Sequence, residues 1–204
     1  MLLLPAGNEG WADDPIKPSA ETKSGTAKAV ASSGVVQQPA GGVLNAEERE
    51  AVLKAHNAER SGHGKPPLQW DESIARQAQQ HAERLAQTGQ LQHTSGVQLR
   101  QVDQGENLFL TTGGQRQQAL QNAVQSWRKE QFVGNRSIYV PGMSYAQYRS
   151  RYPGKVFGHW TQMIWGRSRK LGIGVARIRS GSRAGGYVVV ARYHPAGNLI
   201  SAAP

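Results

Sequence analysis

"GHWTQMIW", residues 158–165, sets the terms on which the rest of the chain is read. Two tryptophans, a methionine and an isoleucine have the character of core, yet His159 stands among them. An imidazole taken out of water needs a hydrogen-bond partner or a metal, because an unpaired buried polar group is costly. The question is which residues supply that partner.

Working outward, three other titratable groups stand at the margin of apolar segments. Glu130 lies three residues after Trp127 and seven after Ala123, so it extends the apolar stripe of a helix. Glu106 shares one face of a short strand, "GENLFLTT", with Leu108 and Leu110. His93 follows Leu91 just ahead of the turn "TSG". Two imidazoles and two carboxylates suit a divalent transition metal, the histidines as ligands and the carboxylates as further ligands or as partners behind them. Spacing alone also allows four separate, locally satisfied polar groups, because no chelating pair such as HExxH is present. His56 and His81 lie within helical patterns, His63 in a glycine-rich turn and His194 in the terminal "YHPAG"; these read as ordinary structural or exposed histidines.

The pattern predicts helices over 46–61, 71–88 and 115–131. Asn45 and Glu48 form a capping-box signature, and Asp71 and Gly89 bracket the second helix. "KLGIGVARI" and "GGYVVVARY" read as two strands of a hairpin. Residues 132–157 hold four of the six tyrosines, three glycines and two prolines with no sustained period, which predicts a long ordered loop or a set of short turns. The order of elements predicts an α+β fold, a three-layer α-β-α sandwich around a small antiparallel sheet. Residues 1–45 are rich in Ser, Ala, Gly, Pro and Lys and predict a flexible leader or linker, with the domain over 46–204.

No apolar run approaches the ~20 residues of a membrane helix, and "MLLLP" is too short for a signal-peptide core. The absence of cysteine excludes disulfides and thiolate chemistry. No G-x-S-x-G elbow and no P-loop occur. Net charge is +10, the sum of −1 over residues 1–45 and +11 over residues 46–204. Glu130 is the last acid, with eleven Lys or Arg beyond it. Such a field favours anionic partners, such as a membrane or cell-wall surface.

"GHWTQMIWGRS" (158–168) resembles the main signature of the CAP superfamily, which groups cysteine-rich secretory, antigen 5 and pathogenesis-related class 1 proteins. "VVARYHPAGNL" (189–199) is similar to its second signature. "HNAER" (56–60), "LQWDESIARQAQQHAERLA" (68–86), "LQHTSG" (91–96), "GENL" (105–108) and "WRKE" (127–130) follow in the family's order. The resemblance implies an α-β-α sandwich and one shared cavity formed by His93, Glu106, Glu130 and His159. It also implies that Trp160, Met163, Ile164 and Trp165 anchor a helix carrying His159, with Asn107 and Gln162 in supporting roles. Ala191 stands where the second signature usually has cysteine, so stability must come from core and sheet alone.

The function implied is a binding module, with Zn2+ or another divalent metal in the cleft and no organic cofactor. A lipid or sterol would sit along a separate loop bearing Tyr139, Tyr145, Tyr148 and Tyr152, and family resemblance implies secretion to the extracellular space or periplasm. A zinc-dependent hydrolase, with Glu106 or Glu130 activating water, is the second reading. A purely electrostatic binder of polyanions, without specific nucleic-acid recognition, is the third.

Overall fold

The computed structural model describes residues 43–204. The leader read over 1–45 therefore falls almost wholly outside the described residues. In chain order the elements are α1 (Ala46–Gly62), β1 (Gln69–Trp70), α2 (Glu72–Thr88), α3 (Gly96–Gln101), β2 (Gly105–Leu110) and α4 (Arg116–Lys129). Then come β3 (Phe132–Val133), β4 (Arg136–Ser137), α5 (Tyr145–Arg151), α6 (Gly158–Met163), β5 (Lys170–Arg177) and β6 (Tyr187–His194).

The helix boundaries follow from their caps. Asn45 and Glu48 form the reciprocal capping box that opens α1. Asp71 accepts the N–H groups of Ser73 and Ile74 at the start of α2, and Gly89 ends it at φ 63°, a left-handed conformation that favours glycine. Each such cap contributes about 1 kcal/mol.

The main sheet runs β1-β5-β6-β2. β5, β6 and β2 are antiparallel neighbours, as the strand patterns predict, but β1 pairs parallel to β5 through Gln69 and Trp70 only. The sheet is thus mixed rather than purely antiparallel; two residues are too few to leave a periodic signal. Beyond Leu171 no strand among the described residues pairs with the outer edge of β5. There Gln79 of α2 stands in, its side-chain oxygen accepting from Val175 N at 2.9 Å and its amide donating to Val175 O at 3.2 Å.

Alternation along β6 sorts the two cores. Tyr187, Val189, Ala191 and Tyr193 pack with α1 and α4 on one face; Val188 and Val190 pack with Ala78, Ala82 and Leu85 of α2 on the other. Ala191 is fully buried. A third cluster, Ile138, Tyr148, Phe157, Trp160 and Ile164, joins α5 and α6. The segment 132–157, read as loop or turns, contains the β3–β4 hairpin and α5, the latter opened by a second capping box between Ser144 and Gln147.

A candidate cleft between two histidine–glutamate pairs

β2 delivers the first pair. Glu106 and Asn107 are consecutive strand residues and so point to opposite faces of the sheet. Glu106 lies directly across from Arg192 in the β2–β6 register. Its Oε1 accepts from His93 Nδ1 at 3.0 Å and from Thr94 N at 2.9 Å. Its Oε2 accepts from Thr94 Oγ1 at 2.8 Å and from Arg192 Nη2 and Nε at 3.1 and 3.2 Å. The carboxylate is fully enclosed. Burial alone would raise its pKa, but the hydrogen bond from His93, the neighbouring His81, the Thr94 amide and the Arg192 charge together hold it down at about 2.

The second pair joins α4 to α6. Glu130 falls one residue past the last turn of α4 rather than inside it, and its carboxylate turns toward α6. Oε2 accepts the backbone N–H groups of His159 and Trp160 at 3.0 and 3.2 Å, and Oε1 accepts from His159 Nδ1 at 2.6 Å. Phe157, at the N-cap of α6, makes no side-chain cap of its own. Glu130 thus caps α6 from another helix, satisfying first-turn donors that would otherwise be orphaned.

Both imidazoles therefore present Nδ1 to a carboxylate, and neither Nε2 has a partner among the described residues. His93 and His159 line one cavity of about 610 Å³ that straddles the β2 edge, with Glu106 and Asn107 in its wall and Glu130 behind His159. The structure brings the four sequence-predicted residues together as two carboxylate-oriented imidazoles. As donors to a metal they are not equivalent. The oxygens of both carboxylates already accept protein hydrogen bonds, and no group of three or more His, Cys, Asp or Glu side chains among the described residues is arranged to hold an ion. Glu106 and Glu130 stand behind the histidines, each holding one Nδ1. The two Nε2 atoms are imidazole donors of the kind a divalent transition metal takes.

The supporting residues divide. Asn107 lines the cavity and donates to His159 O at 3.0 Å and to Tyr193 Oη at 3.1 Å. Gln162 is buried away from the cavity, its side-chain oxygen accepting from Gly197 N at 2.9 Å and its amide donating to Ser168 Oγ. The four tyrosines divide as well. Tyr145 and Tyr152 line the same cavity as the histidines, alongside Arg149 and Lys155. Tyr148 is fully buried with its hydroxyl bonded to the Val140 backbone, and Tyr139 packs on His63 and Trp160. The segment 139–152 thus adds two of its tyrosines to the wall of the histidine cavity, while residues 140–143, Ala146 and Ser150 border a second hollow.

Several residues here were passed over in the sequence. Arg192 places a charge on the buried α2-facing side of β6, a signal that a partner must lie opposite. Asn198 adopts φ 57° and binds Gly158 O and Thr161 Oγ1 across the cleft rim. His56, read as ordinary, is wholly buried. Its Nδ1 lies 2.7 Å from Val52 O, which can only accept, so Nδ1 carries the proton and Nε2 accepts from Tyr193 Oη at 2.9 Å. The chain from Asn107 to Tyr193 to His56 to Val52 then has one direction and requires a neutral imidazole. Burial pushes the His56 pKa down from 6.5 to about 4. A depressed histidine stabilises the fold in full above the ordinary value and loses that contribution as pH falls toward the folded one. Stability should fall by about 3 kcal/mol between pH 6.5 and pH 4 on this account. Urea unfolding across that window checks it, with a shallower decline expected for a folded His56→Gln protein. An equal slope in both would remove His56 as the cause.

Comparison with known proteins agrees with this architecture. The chain matches the CAP description, "Cysteine-rich secretory protein family", over residues 53–193. It is 35% identical over 150 residues to Golgi-associated plant pathogenesis-related protein 1 of Homo sapiens, covering 74% of this chain and 84% of that protein. It is 32% identical over 156 residues to pathogenesis-related protein 1C of Nicotiana tabacum, covering 76% and 80%. Secreted protein RBT4 of Candida albicans is 33% identical over 191 residues, 94% of this chain but 45% of that longer protein. Among solved structures, BmVAL-1 superposes with a TM-score of 0.63 at 25% identity, over 80% of this chain and 84% of that one. The crystal structure of NaASP2 with Zn2+ shares the fold at the same TM-score, 23% identity, and 79% and 86% coverage. The contiguous match takes in all four residues of the two histidine–glutamate pairs, and this chain belongs to the CAP family.

Proposed function

We propose that the protein is an extracellular binding module whose cleft holds a divalent metal between His93 and His159 and an amphiphile beside it. The observation that carries this reading is the pairing of both Nδ1 atoms with carboxylates, which leaves two oriented imidazole nitrogens facing one cavity. A cavity of about 610 Å³ is in the usual range for small-molecule sites. Tyr145, Tyr152, Val156 and Phe157 give its wall an apolar, aromatic surface beside the histidines. A lipid or sterol would lie along them, with Lys155 and Arg149 near its polar end. Relatives with secreted and pathogenesis-related names support an extracellular, defence-type setting.

A bound divalent ion would act there as a Lewis acid toward a water or an anionic ligand group. Binding is a stronger reading than hydrolysis because neither carboxylate is free to serve as a base. Glu106 is enclosed and paired with Arg192, and Glu130 caps α6. Calorimetric titration of Zn2+ into metal-stripped protein should show saturable binding that a His93→Ala/His159→Ala protein loses. Because the tyrosines share the cavity, the same substitutions should also weaken uptake of a fluorescent sterol several-fold. A folded wild type that takes up no zinc would refute the metal half of the reading.

A further inference from the structure

α1 presents a polar stripe to the interior. His56, Glu59 and Arg60 are all buried, and His63 follows one turn later with its side chain mostly enclosed. Arg60 donates to the carbonyls of Met163 and Trp165 at 2.9 Å each, closing the far end of α6. His56 reaches the near end through Tyr193 and Asn107 to His159 O. Glu59 lies between them and never touches the cleft. Its Oε1 accepts from Trp160 Nε1 at 3.2 Å, Gln131 Nε2 at 2.9 Å and His63 Nε2 at 3.1 Å. Its Oε2 meets Arg128 Nε at 2.6 Å.

The chain positions of those donors give the carboxylate its meaning. Trp160 is the residue after His159; Gln131 is the residue after Glu130, and Arg128 is two before it. One buried carboxylate on α1 therefore grips both members of the Glu130–His159 pair by their immediate neighbours. The His63 ring packs edge-on to Trp160 at 5.6 Å and to Tyr139 at 4.4 Å, which fixes the tryptophan from its other side. The first pair is held without Glu59: Arg192 braces Glu106 across the sheet, His81 of α2 donates to Gln92 O beside His93, and the His93 side chain is 55% exposed.

We propose that Glu59 is a positioning residue for the cleft: by tying Trp160 to Gln131 and Arg128, it sets the separation and angle at which Glu130 meets His159, and so aims the His159 imidazole. Its effect on metal affinity rests on the metal-binding reading above; its effect on the Glu130–His159 hydrogen bond does not.

The test uses metal-free protein and ¹⁵N-edited spectra of the histidine ring N–H protons, assigned by comparison with His93→Gln and His159→Gln proteins. In Glu59→Ala, the His159 Nδ1–H signal should move upfield and broaden while the His93 Nδ1–H signal stays where it is. Glu59→Gln, which keeps an acceptor for Trp160 Nε1, should restore much of the wild-type position. Zinc affinity should fall roughly tenfold in Glu59→Ala, the size typical when a group behind a ligand is lost. An unmoved His159 signal in folded Glu59→Ala would overturn the proposal, and so would equal movement of both histidine signals, which marks general loosening. If Glu59→Ala does not fold, Trp160→Phe removes the same hydrogen bond from the other side, and its His159 signal decides the matter by the same criterion. A wild type that binds no zinc while His159 alone responds would retire the metal reading and leave the positioning role standing.

Discussion

Gly174→Ala should destabilise the protein by about 3 kcal/mol or more, the upper end for overpacking a close contact, and lower its melting midpoint by about 10 °C for a domain of this size. The reason lies in how α2 meets β5. A Cβ on Gly174 would stand 2.3 Å from both N and Cα of Gln79 and 2.6 Å from the Ala78 carbonyl carbon. One on Gly172 would stand 2.2 Å from Ala75 N. These are backbone atoms with no rotamer to escape into, so the helix would have to lift from the strand. Lifting it would break the two bonds by which Gln79 replaces a missing strand beside Val175. Gly113→Ala is the control, since nothing lies within 4 Å of its added methyl group. Thermal unfolding of the two proteins side by side decides it. A Gly174→Ala midpoint within 2 °C of wild type would show that the helix yields at little cost, roughly 1 kcal/mol or less.

Glu106→Ala should cost about 3–5 kcal/mol, because it strands the Arg192 guanidinium in a buried site without its counter-charge. Adding Arg192→Met should recover a large part of that loss, as expected when the penalty comes from an uncompensated charge rather than from lost packing. The same carboxylate gives a pH signature. Its folded pKa lies below the ordinary carboxylate value, at about 2. Its contribution to stability is therefore complete above about pH 4.5 and lost as pH falls from there toward 2. Wild type should show a steeper decline in unfolding free energy between pH 4.5 and pH 3 than Glu106→Gln, which keeps the contributions of Glu59 and Asp71, both also held below the usual carboxylate range by their partners. Parallel profiles for the two would mean that the enclosed carboxylate is not the titrating group. This leg is distinct from the one assigned to His56, which begins at higher pH.

Much of the site was legible because its residues violate the pattern around them. Glu106 on an apolar strand face, Glu130 at the foot of an apolar stripe and His159 among tryptophans each announce a buried partner. The same logic applied to α1 should have singled out Glu59 and Arg60, but their neighbours in sequence are Ala58 and Ser61, small residues that mark no clear apolar face. Ser144 and Gln147 carry a capping-box signal, but the surrounding glycines, prolines and tyrosines break the period by which a helix such as α5 shows itself in sequence. The division of the tyrosines had no local signal. Tyr145, Tyr148 and Tyr152 share one stripe of α5 and its C-cap at i, i+3 and i+7, yet Tyr145 and Tyr152 line the cleft while Tyr148 between them is fully buried. Only the seating of α5 against Phe157 and Trp160 makes that distinction.

By itself, then, the sequence determined the three long helices to within a residue or two, the central antiparallel strands, the family and the four polar residues of the cleft. Those features are written in period, caps and local contrast, which act over a few residues. Tertiary structure decided the roles. Which donors surround each carboxylate depends on residues far away in the chain: Arg192, 86 positions from Glu106, and His159, 29 positions from Glu130. It also decided that histidines and tyrosines share one cavity, because only the packed sheet edge and α5 bring them to the same opening.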